Sequence, residues 1–95
     1  MIKVFKCKES EKIYHRLHSK KFSFQVQRIA LRKQRMMNRA TIINDLKVPP
    51  GNRLEKLHGD REGQMSIRIN EQWRICFRWE DGDCYDVEIT DYHQE

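Results

Sequence analysis

No apolar run in this 95-residue chain approaches the ~18 residues that a membrane-spanning helix needs, so no membrane partner is expected. The opening Met1-Ile2-Lys3-Val4-Phe5-Lys6 lacks the apolar stretch of a secretion signal. Cysteine is scarce. Cys7, Cys76 and Cys84 make an odd count with no CxxC pair, which signals neither a disulfide framework nor a zinc site. Free thiols fit a reducing compartment, so a cytoplasmic location is expected, with the three cysteines filling strand positions. His15 and His18 stand at i and i+3, but no acid or cysteine cluster joins them, so no metal and no cofactor is expected. Repeats and low-complexity tracts are absent too.

What is present is charge. Charged residues make up 35% of the chain and hydrophobic ones 38%. The apolar residues are grouped, which argues against disorder. The length fits one domain over residues 1–95. A domain this size buries roughly 60–65% of the surface of its unfolded chain, so its core is thin and a partner adds usefully to its stability. Lysine and arginine number 19 against 14 acids, a net charge of +5. A basic small domain is a candidate for a polyanion partner, and arginine is the residue that grips phosphate in bidentate fashion.

The periodicity predicts a strand, two helices and then a meander. Ile2 and Val4 alternate with Lys3 and Phe5 as a first strand. Ser10 is placed as the cap of a short helix carrying Ile13, Tyr14 and Leu17 on one face. Ser23 caps a longer helix over residues 24–39, in which Val26, Ile29, Ala30, Met36 and Met37 recur near the 3.6-residue period. Met36-Met37 reads as core filler. Arg28, Arg32, Arg35 and Arg39 form a second stripe on that helix. Ile42, Ile43 and Leu46 suggest one further helical turn, and Pro49-Pro50-Gly51-Asn52 is expected to stop all helix.

After that the period falls to two. Leu54–Leu57, the Met65–Ile69 run and the Trp73–Trp79 run read as strands. Glu80-Asp81-Gly82-Asp83 reads as a hairpin turn, followed by a last strand in which Tyr85, Val87 and Ile89 share a face. One sheet face must then pack on the helices. The other, with Ser66, Arg68, Arg74 and Arg78, is expected to be an open arginine-lined surface.

The ordered set Gly59-Asp60-Arg61-Glu62-Gly63, Ser66-Ile67-Arg68-Ile69-Asn70, Trp73-Arg74-Ile75-Cys76-Phe77 and Asp91-Tyr92-His93 resembles the RelE superfamily of bacterial toxins, and most closely its HigB branch. The opening Met1–Phe5 and the Pro50-Gly51-Asn52-Arg53-Leu54 stretch are similar to that branch as well. The resemblance implies an α+β, RelE-like fold: an N-terminal strand and two helices packed on a curved antiparallel sheet of about four to five strands. It implies a toxin of a type II toxin–antitoxin pair that cleaves mRNA in the A site of the 70S ribosome, without metal or cofactor. It also implies a cognate helix-turn-helix antitoxin, HigA-like, through which alone operator DNA is contacted.

Such cleavage needs a base for the 2′-hydroxyl proton, positive charge on the phosphorane and an acid for the leaving 5′-oxygen. His93 is the first choice for proton transfer, since histidine titrates near neutrality. Read as a bare residue, it is more often a frayed terminal histidine; it is the resemblance, which implies catalytic residues at this closing Asp-Tyr-His, that reverses the choice. Tyr92 stacks on a base or contacts phosphate, or else only caps the last strand. Asp91 orients His93, accepts a proton itself, or is a solvated acid. Arg74, aimed from a rigid strand, is the candidate for transition-state charge, against the alternative of pairing with Asp86 or Glu88. Arg68 and Arg78 share its face, and Arg53 precedes the first meander strand. Arg61 grips RNA or ties its loop through Asp60 or Glu62. Arg28, Arg32 and Arg35 lie along ribosomal RNA or form a solvated face. Some members of the branch carry a histidine and a lysine before the glycine-flanked loop. The positions here are Glu55 and His58, so Glu55 is a candidate base and His58 a replacement histidine or a phosphate contact. The rival readings are a non-catalytic or weakly catalytic RNA-binding toxin, and a co-repressor subunit acting only with its antitoxin.

Overall fold

In a computed structural model, residues 1–92 are described, and His93 lies outside them. Helix α1 runs Lys8–Tyr14 and helix α2 runs Phe24–Arg39. Four strands follow: β1 Glu55–Lys56, β2 Met65–Arg68, β3 Trp73–Glu80 and β4 Asp83–Asp91, an antiparallel meander in the order β1-β2-β3-β4.

Helix α2 forms as its sequence predicts. The Ser23 hydroxyl accepts the Val26 N–H at 3.2 Å, satisfying one orphan donor of the first turn. Val26, Ala30, Met37 and the polar Lys33 and Gln34 make its buried stripe. They meet Ile67, Ile75, Phe77, Cys84, Val87 and Ile89 from one sheet face, with Ile13, Phe22 and Leu46 closing the core. Burying each large apolar side chain contributes roughly 1.5–3 kcal/mol. The rings of Phe22 and Trp73 meet in a T-shaped pair at 4.9 Å between centroids, which anchors the loop between the helices.

Five local expectations are corrected. Ser10 does not cap α1, because Cys7 is the N-cap and Ser10 is fully buried inside the helix. Cys7 therefore holds no strand position, whereas Cys76 and Cys84 do. The first segment is a ribbon rather than a strand, joined in parallel to β4 by two bridges, Ile2 to Cys84 and Phe5 to Val87. That spacing of three breaks the alternation, so Phe5 packs on the core and Val4 is 45% exposed. Pro50–Asn52 forms a 3-10 turn of its own after the extended Val48. Finally, Tyr85 does not share a face with Val87. The register shifts between Cys76 and Arg78, opposite Asp86 at φ 55, and this bulge resets the parity. Cys84 goes to the core, and Tyr85 joins Arg78 on the other face.

The expected hairpin turn is present. Asp81 (φ 52) and Gly82 (φ 83) both take the left-handed conformation that a two-residue type I′ connection requires.

The free edge of β4 needs a partner beyond Val87, where the N-terminal ribbon ends. Helix α1 supplies it. The buried Ser10 hydroxyl accepts the Ile89 N–H at 2.9 Å, and the Gln34 amide of α2 donates to the Ser10 carbonyl at 3.0 Å. Ser10→Ala leaves the buried Ile89 N–H without this acceptor, a loss of about 1–3 kcal/mol. At about 4–8 °C per kcal/mol for a domain this size, thermal denaturation should show the melting temperature falling by at least several degrees.

Candidate functional site

The outer sheet face is not the open surface that its alternation suggests. Ser66, Cys76 and Arg74 are buried there, Arg74 with only 3% exposure. The cause is the loop between β1 and β2. Gly63, at φ 89, turns the chain back, and Arg61 reaches across to Glu88 of β4 at 2.9 Å while also donating to Gln64 at 3.0 Å. Glu88 is the register partner of Cys76, so the ion pair spans the middle of the face. Arg61 thus ties its loop down through Glu88.

Beside this strap a polar cleft of about 370 Å³ remains, lined by Arg53, Glu55, Arg68, Glu71 and Tyr92. Each residue arrives for a local reason. Arg68 and Arg74 are register partners on β2 and β3, so both project from the outer face. Arg53 ends the Pro50–Asn52 turn in the left-handed conformation, at φ 46. Glu55 is carried by β1, opposite Ser66. The Arg74 guanidinium lies 5.0 Å from the centroid of the Tyr92 ring, a cation–π distance. Arg74 therefore presents its charge from a nearly dry seat on a strand, with an aromatic plate beside it.

Burial pushes the Tyr92 hydroxyl up, and Glu55 raises it further, against the opposing pull of Arg74, Arg68 and Arg53. The phenol stays protonated near neutrality. It can donate a hydrogen bond or stack.

The turn between β2 and β3 fastens the end of β4. Asn70 Oδ1 accepts the N–H groups of Gln72 and Trp73, each at 2.8 Å. The Gln72 carbonyl accepts the Tyr92 N–H at 2.8 Å, and its side-chain amide donates to Asp91 at 3.0 Å. Asp91 pairs with Trp73, so it faces away from Tyr92 and lines a separate pocket with Lys21, Arg61 and Trp73.

Other candidates lie apart. Arg78 sits at the far end of β3, bonded to Asp86 at 2.8 Å and Glu80 at 3.1 Å. Those two acids raise its pKa further. His58 is exposed and precedes the turn at Gly59–Arg61 without lining the cleft. Arg28, Arg32, Arg35 and Arg39 are exposed on α2. Among the described residues no cluster of three His, Cys, Asp or Glu stands ready to hold a metal ion.

Two residues that sequence reasoning passes over matter here. Gln72 could have been suspected from the Asn70-Glu71 turn signal. Lys33 could not, because its position on α2 reads as core. It is 5% exposed, and burial lowers its pKa, with repulsion from Arg32 and Arg68 adding to the effect. Lys33 is thus a buried cation on α2 that feels the charges of Arg32 and Arg68.

The family described as the RelE-like toxin of the type II toxin–antitoxin system HigB matches residues 3–93. Toxin HigB-1 of Vibrio cholerae is 42% identical over 57 residues, 60% of each chain. Endoribonuclease HigB of Proteus vulgaris is 46% identical over 41 residues, 43% of this chain and 45% of its own. The matched stretch thus spans at most about 60% of these relatives' length.

A buried, like-charged neighbourhood should be measurable. Between the lowered folded value of Lys33 and the ordinary 10.5 of the unfolded chain, the unfolded state binds more protons, so stability rises with pH across that window. Below it the charged amine is carried at a penalty. Lys33→Met keeps the buried stem and removes the charge. Its melting temperature at pH 7 should exceed wild type, by about 4–8 °C if the penalty is ~1 kcal/mol. The gain should shrink as pH approaches 10.5.

Proposed function

This chain belongs to the HigB-like family of RelE-like toxins of type II toxin–antitoxin systems, and from that premise we propose that it is a cytoplasmic mRNA endoribonuclease that acts on the ribosome and is neutralised by a helix-turn-helix antitoxin. The observation that carries the reading is Arg74, 3% exposed and 5.0 Å from the Tyr92 ring, beside a cleft walled by Arg53, Arg68 and Glu55. The name Endoribonuclease HigB, borne by the Proteus vulgaris relative, supports the same chemistry.

The scheme uses side-chain groups alone. A nucleotide stacks on Tyr92, while Arg68 and Arg53 grip the flanking phosphates. Glu55 takes the proton of the ribose 2′-hydroxyl, whose oxygen forms a bond to phosphorus. Arg74 stabilises the extra negative charge on the phosphorane, and its dry seat strengthens that interaction. The bond from phosphorus to the 5′-oxygen breaks, and that oxygen takes a proton from His93. A 2′,3′-cyclic phosphate and a free 5′-hydroxyl result. Asp91, Arg61, Arg78 and His58 act outside this exchange, as loop ties or peripheral phosphate contacts, and Arg28, Arg32 and Arg35 line a path for ribosomal RNA.

The test is induced expression with mapping of mRNA 5′-ends. Wild type should arrest growth with new ends at codons of translated messages. Arg74→Ala and His93→Ala should each lose about 10²–10³-fold in cleavage, the scale of one transition-state donor or one proton-transfer group. Growth arrest without new 5′-ends would instead identify a toxin that only binds, and would remove the catalytic roles.

A further inference from the structure

The cleft occupies one side of the sheet, and the helical side carries a second feature. Between the end of α1 and the first turns of α2 lies an apolar groove of about 210 Å³, with Ile13, Leu17, Phe24 and Leu31 as its apolar lining and Arg16 and Arg28 beside them. Leu17 is 60% exposed and Phe24 is 74% exposed. Single exposed apolar residues are ordinary, but two that share a groove with buried Ile13 form a patch.

The backbone presents this patch deliberately. Helix α1 ends in a Schellman turn: the Arg16 N–H donates to the Ile13 carbonyl at 3.0 Å, and the Leu17 N–H donates to the Lys12 carbonyl at 2.8 Å. Arg16 sits in the left-handed region at φ 63, where a side chain is strained and glycine is the usual occupant. In such turns the following apolar residue commonly folds back on its helix. Here Leu17 stays in solvent. His18 lies against Phe24, 5.2 Å between ring centroids.

The lining also selects the occupant. Among the described residues it holds two arginines and a histidine and no carboxylate. A second copy of this chain, at net charge +5, would be repelled. Nucleic acid would satisfy the arginines but leave the aliphatic floor unfilled. We propose that this groove receives an amphipathic helix of the cognate antitoxin, its apolar anchors seated on Leu17, Phe24 and Leu31 and its carboxylates facing Arg16 and Arg28. Phe24, Gln27, Arg28 and Leu31 stand at i, i+3, i+4 and i+7 on α2, a stripe about 10 Å long that suits two turns of an incoming helix. The proposal rests on the family reading for the existence of an antitoxin, and names where and how it docks.

The test uses the full chain co-expressed and copurified with the product of the adjacent open reading frame. Leu17→Asp and Phe24→Asp alter exposed positions, so both should keep the wild-type melting temperature and the wild-type arrest of growth. Each should weaken binding of that product by roughly 30-fold or more, as loss of a hot-spot anchor does, and escape rescue by it in cells. Arg74→Ala should lose cleavage and still copurify. Binding that stays within about threefold of wild type in both groove variants overturns the proposal. So does loss of ribosome binding in place of antitoxin binding, which would make the groove a nucleic-acid surface. Failure of wild type itself to bind the adjacent product overturns the partner reading along with it. Failure of mRNA cleavage with antitoxin binding intact would instead leave this surface standing and remove only the enzymatic reading.

Discussion

The last turn of β4 depends on a hydroxyl from helix α1. The N-terminal ribbon pairs with β4 only as far as Val87, and the next edge N–H that needs a partner belongs to Ile89. Ser10 supplies the acceptor, and Gln34 of α2 fixes the Ser10 backbone in turn. These buried bonds join both helices to the strand that carries Thr90, Asp91 and Tyr92. The turn at Asn70–Gln72 grips the same chain end from the opposite edge. The cleft can hold Tyr92 against Arg74 because the segment is fastened from both sides.

Around that anchor the charges divide into two groups. Arg61 and Arg78 are absorbed by Glu88, Asp86 and Glu80, and they stabilise the sheet as local ties. Arg53 and Arg68 line the cleft with the acids Glu55 and Glu71, and the charge of Arg68 also reaches the buried Lys33. Clustered cations repel one another, so the arrangement gives up some stability of the free protein. A polyanion relieves that repulsion and releases counterions as it binds. The same surface is therefore poorly arranged for stability and well arranged for a polyanion.

The sheet separates two tasks. Its outer face bears the cleft. Its inner face is sealed by α1 and α2, whose far side carries the groove at Leu17 and Phe24. A partner docked in the groove leaves the lining of the cleft untouched and shares only Arg28 with the arginine stripe of α2. Coupling between them would have to pass through the helix-to-β4 bonds at Ser10 and Gln34, or through Lys33, which lies on α2 and is repelled by Arg68.

Much of this was legible in the chain. The 3.6-residue period of α2, its Ser23 cap, the antiparallel meander and the hairpin at Asp81-Gly82 follow from local rules that need no neighbours. The membership of Arg68 and Arg74 in one face follows from strand alternation, and the family was visible in the ordered motifs. Where a contact far away in sequence decided the outcome, local reading failed. Ser10 looks like a cap, but the unmet N–H of Ile89, 79 residues on, draws it into the interior. Tyr85 changes face because Asp86 adopts φ 55 and inserts a bulge. The arginine face is covered because Glu88 captures Arg61. Lys33 reads as a core position, and only the packed helix shows a cation held beside Arg68. The sequence by itself determined which residues could form helix, strand and turn, since period and capping are properties of neighbouring residues. Only the tertiary structure decided which polar groups are buried together and which charges cancel, because those depend on distances that exist only once the chain is packed.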